Sequence, residues 1–193
     1  MTYQLKYEQY LKNSPKQLQK HFIIPLTNER FASCSSNRTV KIWKDDNTYE
    51  CISTLQHNAQ VRSILQLRGK EVLVSANNGY GVLSCGVTFW NINDYIKLHT
   101  IKGYSVDQPT HMIELSNGNV ALFNNVHPYL IVIINTSSYE IMTIIQMKEY
   151  IPSCSSMFVI DERSFIFASE RALLQIVNDN CLFIIISSIL RKT

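Results

Sequence analysis

Four stretches of this chain superimpose on one another, and that self-similarity narrows the fold more than any other property of the sequence. They read IIPLTNERFAS at 23–33, ILQLRGKEVLV at 64–74, MIELSNGNVAL at 112–122 and MFVIDERSFIF at 157–167. Each opens with an apolar pair, reaches an aliphatic residue, breaks into four turn-forming residues and resumes as an apolar run. Leu26, Leu67, Leu115 and Ile160 share one column, and Phe31, Val72, Val120 and Phe165 another. The column steps are 41, 48 and 45 residues, the length of a supersecondary unit that buries its apolar face only against a neighbouring copy.

The remainder of each unit is β-like. VKIW (40–43), VTFW (87–90), IVII (131–134) and LQIV (174–177) align as a second strand, and CISTL (51–55), YIKLHTI (95–101), YEIMTII (139–145) and CLFIII (181–186) as a third. The turn sets TNER, RGKE, SNGN and DERS suit hairpins, because Asn, Gly, Asp and Ser accept the conformations that tight turns impose. Between 33 and 44 the chain reads SCSSNRTVKIWK. There a polar turn feeds a strand whose β-branched residues fill a pleated face. The unit is an antiparallel sheet, repeated four times.

A unit of this length and content resembles the WD-repeat (WD40) β-propeller blade, over about residues 21–190 and most closely in the first two units. SCSSNRTVKIWK is similar to the family's Ser-x-Ser-x-Asp-x-Thr-x-x-x-Trp-Asp run, with Asn37 for the first Asp and Lys44 for the Asp after Trp43. LQHNAQVRSIL (55–65) is similar to its Gly-His turn, with Gln56 for Gly and His57 retained. The second unit keeps FWN but inserts GYGVLSC ahead of it, and the third and fourth carry Ile134 and Val177 where Trp43 and Trp90 stand. The resemblance implies an all-β array of about four four-stranded antiparallel blades, at about 21–58, 59–105, 106–151 and 152–190, forming a partial or open propeller. Trp43, His57 and Trp90 become structural repeat positions. The family's blades hold a buried His, Ser or Thr, Asp and Trp network; here His57 and Trp90 are set to pair with no Asp between them. Blades held mainly by apolar packing are therefore expected, since a half-satisfied polar network costs stability.

Ahead of the repeats, residues 1–20 read as a lead-in, with Tyr3, Tyr7, Tyr10 and Leu11 at helical spacing before Ser14-Pro15. This short helical or irregular segment reads as a weakly ordered lead-in, with capping of an end blade as the alternative. Uncapped end blades expose strand edges, so self-association through blade edges is a further expectation. The opening residues lack the apolar core of a signal peptide, and Cys181–Leu190 is about half the roughly 20 residues of a spanning helix. Five widely spaced cysteines form no CxxC pair. Neither zinc nor a disulfide scaffold is expected, and the reading is an intracellular, cytoplasmic chain with no membrane contact and reduced thiols.

No phosphate, dinucleotide, zinc-protease or hydrolase motif is present, so no cofactor, metal or catalytic residue is assigned. A net charge of +3 without clustering argues against nucleic acid. Asp161–Glu162 and Asp45–Asp46 are sequence neighbours, which point apart on a strand and make poor acid–base pairs. Binding is what remains. In a propeller the first strands line the axis, and one alignment column there is His21, Arg62, Thr110 and Ser155. With Tyr80 and His111 these are the candidate contacts for a protein or peptide partner, Arg and Tyr being common interface anchors. The expected function is a non-catalytic protein–protein interaction scaffold. A substrate-recognition subunit of a ubiquitin ligase is the alternative, on fold analogy alone; a propeller enzyme and a relic of a longer ancestor rank below it.

Overall fold

The computed structural model describes residues 20–79, 85–103, 109–124, 130–146, 154–159, 164–169, 173–177 and 184–186. The expected helix in the lead-in, Tyr80 and most of the last apolar run lie outside these. Among the described residues there are strands and no helix. The first sheet contains β1 (Lys20–Leu26), β2 (Arg30–Ser35), β3 (Thr39–Lys44) and β4 (Cys51–Gln56); the second contains β5 (Gln60–Gln66), β6 (Val72–Asn78), β7 (Gly86–Asn91) and β8 (Lys97–Lys102). The third contains β9 (Pro109–Glu114), β10 (Val120–Asn124), β11 (Leu130–Ile134) and β12 (Ile141–Gln146); the fourth contains β13 (Cys154–Val159), β14 (Ser164–Ser169), β15 (Leu173–Val177) and β16 (Ile184–Ile186). Within each sheet the strands lie in chain order, each antiparallel to the next.

These meanders form because the turn residues allow them. Asn28 and Glu29 (φ 58° and 52°), Gly69 (63°) and Gly118 (82°) occupy the left-handed region at the tips of first hairpins. In the polar run, Asn37 Oδ1 accepts the hydroxyls of Ser35 at 2.7 Å and Thr39 at 2.6 Å, closing the β2–β3 turn. In the third hairpins an Asx turn (Asp46, Asn91 or Asn135 accepting a backbone N–H two residues on) leads to a tyrosine with positive φ. These are Tyr49, Tyr95 and Tyr139, at 49°, 62° and 59°. This recurrence in three sheets is invisible to hydrophobic patterning.

Pairing register corrects two of the alignment columns. Phe31 lies opposite Trp43, Leu73 opposite Trp90, Val120 opposite Ile134 and Phe165 opposite Ile176. Leu73 therefore replaces Val72 beside Phe31, and Ile176 replaces Val177 at the tryptophan position. The RGKE hairpin holds one more residue than TNER, and neighbouring apolar residues hide such a slip.

The chain divides into two compact units, Met1–Gln108 with the first two sheets and Pro109–Thr193 with the last two. In the first unit, Ala32, Cys34, Val40, Ile42 and Leu55 of the first sheet share one core with Val61, Ile64, Leu73, Trp90 and Ile92 of the second. Burial pushes the Cys34 thiol up to about 12, so it stays protonated. A polar clamp joins the two sheets beside this core. The buried Arg30 donates from Nη1 to the Ile92 carbonyl at 2.5 Å, from Nη2 to Glu71 at 3.2 Å and from Nε to the Thr27 carbonyl at 3.1 Å. Thr27 Oγ1 also donates to Glu71 at 2.9 Å, and the Thr27 N–H donates to Gln66 Oε1 at 3.1 Å. In the second unit, VALFN of β10 and LIVII of β11 are buried throughout, as fits central strands covered on both faces. Among the described residues the exposed large apolar side chains are Phe22 on β1 and Ile96, Leu98, Met142 and Ile144 on and beside the outer strands.

Candidate binding surface on the first strands

Every first strand carries a β-bulge at the corresponding position. Pairing skips from Lys20 to Phe22 in β1, from Val61 to Ser63 in β5, from Pro109 to His111 in β9 and from Cys154 to Ser156 in β13. The four residues left out of the ladders are His21, Arg62, Thr110 and Ser155, the same four that share one alignment column. A bulge frees one residue from pairing, bends its strand and re-aims its side chain, and such features gather at functional sites. Within its own unit β1 lies against β5, and β9 against β13.

Arg62 occupies the β5 bulge. It is half-buried, its Nη2 donates to Gln60 Oε1 at 3.0 Å, and its buried Nε–H meets no acceptor among the described residues. Gln60 itself is exposed. His111, next to the β9 bulge, is half-buried and sits opposite Phe123.

The structural repeat positions form a tighter network than expected. Trp90 Nε1 donates to Ser75 Oγ at 2.8 Å, and Ser75 Oγ lies 3.3 Å from both His57 Nε2 and the Thr88 carbonyl. Ser75 has a single proton to give. The arrangement that satisfies all three partners has Ser75 donating to Thr88 while accepting from Trp90 and from His57 Nε2–H. The His57 ring meets the Trp90 indole edge-on at 5.3 Å, and Asn77 also hydrogen-bonds the imidazole. Burial, then the nearby Lys97 charge, hold the His57 pKa down to about 4 against the pull of Asn77. The second sheet thus adds a polar network to its apolar packing, with Ser75 and Asn77 as the partners of His57 where the family has Asp. Aligning SANN (75–78) with SCSS (33–36) would have revealed Ser75, because Ser33 accepts Trp43 Nε1 at 2.8 Å in the same way. Trp43 also stacks on Phe31, with ring centroids 6.1 Å apart.

Sequence comparison finds neither a protein-family model nor a curated protein that matches. Structure comparison does find matches, among them the crystal structure of the WD40 beta propeller domain of Doa1, with a TM-score of 0.62 at 18% identity. The chain has the WD40 propeller fold. The match covers 79% of this chain but 47% of the other, so the chain spans about half the length of that WD40 structure. At this identity the likeness speaks for architecture: four-stranded antiparallel sheets in chain order, as the repeats predicted. Among the described residues no three His, Cys, Asp or Glu side chains are grouped to hold a metal ion.

Proposed function

We propose that this WD40-fold chain is a non-catalytic interaction module, intracellular, that holds a peptide or protein segment along its bulged first strands. WD40 propellers generally mediate protein–protein contacts, which supports the broad class. The finer reading rests on the coincidence of four bulges with His21, Arg62, Thr110 and Ser155. Within each unit two neighbouring first strands carry such a residue, freed from its ladder and re-aimed, and features of this kind gather at functional sites. Among the described residues Cys34, Cys51 and Cys85 form no disulfide, which fits a reducing compartment.

Selection of a random peptide library on the immobilised chain tests the proposal, followed by amide hydrogen exchange on the chain with each enriched peptide. Enriched peptides should slow exchange in β1 and β5 and leave the outer strands β4 and β8 unchanged. Protection confined to β4 and β8, or a library that yields no specific binder, would refute it.

A further inference from the structure

We infer that the Arg62 bulge takes an oxyanion, a carboxylate or a phosphate monoester carried by a partner peptide; this rests on the binding-module reading above and specifies its chemistry. Arg62 has no carboxylate partner among the described residues; its one hydrogen-bond acceptor is the neutral amide oxygen of Gln60. Elsewhere in the same unit a buried arginine has its charge met, as Arg30 shows with Glu71 and two backbone carbonyls. A guanidinium is always charged, and a buried N–H without an acceptor leaves desolvation uncompensated. Arg62 Nε is in that condition.

The placement of Gln60 gives the site a mechanism of entry. Gln60 and Arg62 flank Val61, whose side chain is fully buried and anchors the strand. Because Gln60 is exposed, its side chain is free to swing into solvent, so its amide oxygen acts as a neutral stand-in that an incoming oxyanion displaces. The oxyanion then accepts from Nη2 and, as the bulge relaxes, from Nε, exchanging a bond to a neutral acceptor for bonds in which both partners are charged. Neither bulge residue of this unit, His21 or Arg62, is acidic. His21 holds the equivalent bulge position on the neighbouring strand β1.

The test uses the full chain and fluorescein-labelled oligopeptides read by anisotropy: oligoglutamate, oligoglutamine, and a Gly-Ser peptide with and without phosphoserine. Oligoglutamate or the phosphoserine peptide should bind, and which of them binds identifies the anion source; oligoglutamine and unmodified Gly-Ser should not. Arg62→Ala should weaken that binding by about tenfold or more. Gln60→Glu should weaken it similarly, by supplying a carboxylate from within, while Gln60→Ala retains it and all three variants keep the wild-type melting transition. Binding of neither anionic peptide, or binding indifferent to both Arg62→Ala and Gln60→Glu, overturns the inference. If uncharged library peptides still protect β5 in that case, the module reading stands and only its chemistry falls.

Discussion

Acidification should destabilise this protein in part through His57. Its imidazole is kept neutral in the folded chain down to about 4, against an ordinary value of 6.5. Below the ordinary value the unfolded chain takes up a proton that the folded chain refuses, so stability falls as pH drops through this window and levels off beneath it. The full gap corresponds to about 3 kcal/mol, of which about 2 kcal/mol is lost between about pH 7 and about pH 5. For a chain of this size that is a drop of about 4–8 °C in melting temperature. The assay is circular dichroism melting of the wild type and of His57→Gln in matched buffers across that range. Other groups titrate alike in both proteins, so the difference between their slopes isolates His57. The wild type should lose those extra degrees relative to the variant. Parallel curves would mean that the ring is hydrated and that the network around Ser75 does not exclude water.

Two further substitutions probe the second sheet. Gly86→Ala should cost about 1–3 kcal/mol, because a Cβ there would lie 2.8 Å from the backbone oxygen of Ile101, which cannot rotate away; melting and faster exchange of β7 and β8 amides report it. Ser75→Ala should cost about 2–4 kcal/mol by stripping a partner from Trp90, His57 and Thr88 together. Ser33→Ala removes the single bond to Trp43 and should cost about 1 kcal/mol, so equal losses in the two melts would deny the network.

Much of this fold was readable because a blade advertises itself through repetition. The Leu26, Leu67 and Leu115 column, the hairpin tips and the strand order all follow from apolar periodicity and turn chemistry. The column of His21, Arg62, Thr110 and Ser155 was readable as an alignment, at a fixed distance before those leucines or Ile160, but the bulges at it were not. What escaped were features that do not alter the apolar pattern. One extra residue in the RGKE hairpin shifts Leu73 into the place given to Val72, and both are apolar. Ser75 is a small polar residue among many until the fold brings it to His57, 18 positions away. The buried Nε of Arg62 depends on packing around a bulge, which no local pattern encodes.

The clamp of Arg30, Thr27, Gln66 and Glu71 has a consequence for how this chain meets a protease. Exposed loop tips are where nicking starts, because the backbone there must leave its fold to enter a protease cleft. The tip at Thr27–Glu29 is exposed, yet it cannot peel away alone: Thr27 is tied to Gln66 and Glu71 of the next sheet, and Arg30 holds the Thr27 carbonyl. Opening it means parting two sheets. Among the described residues the tip at Asp46–Thr48 is held by bonds within its own turn, so of these two tips it is the one cut first, and the two halves that cut leaves would stay fastened by the same four residues.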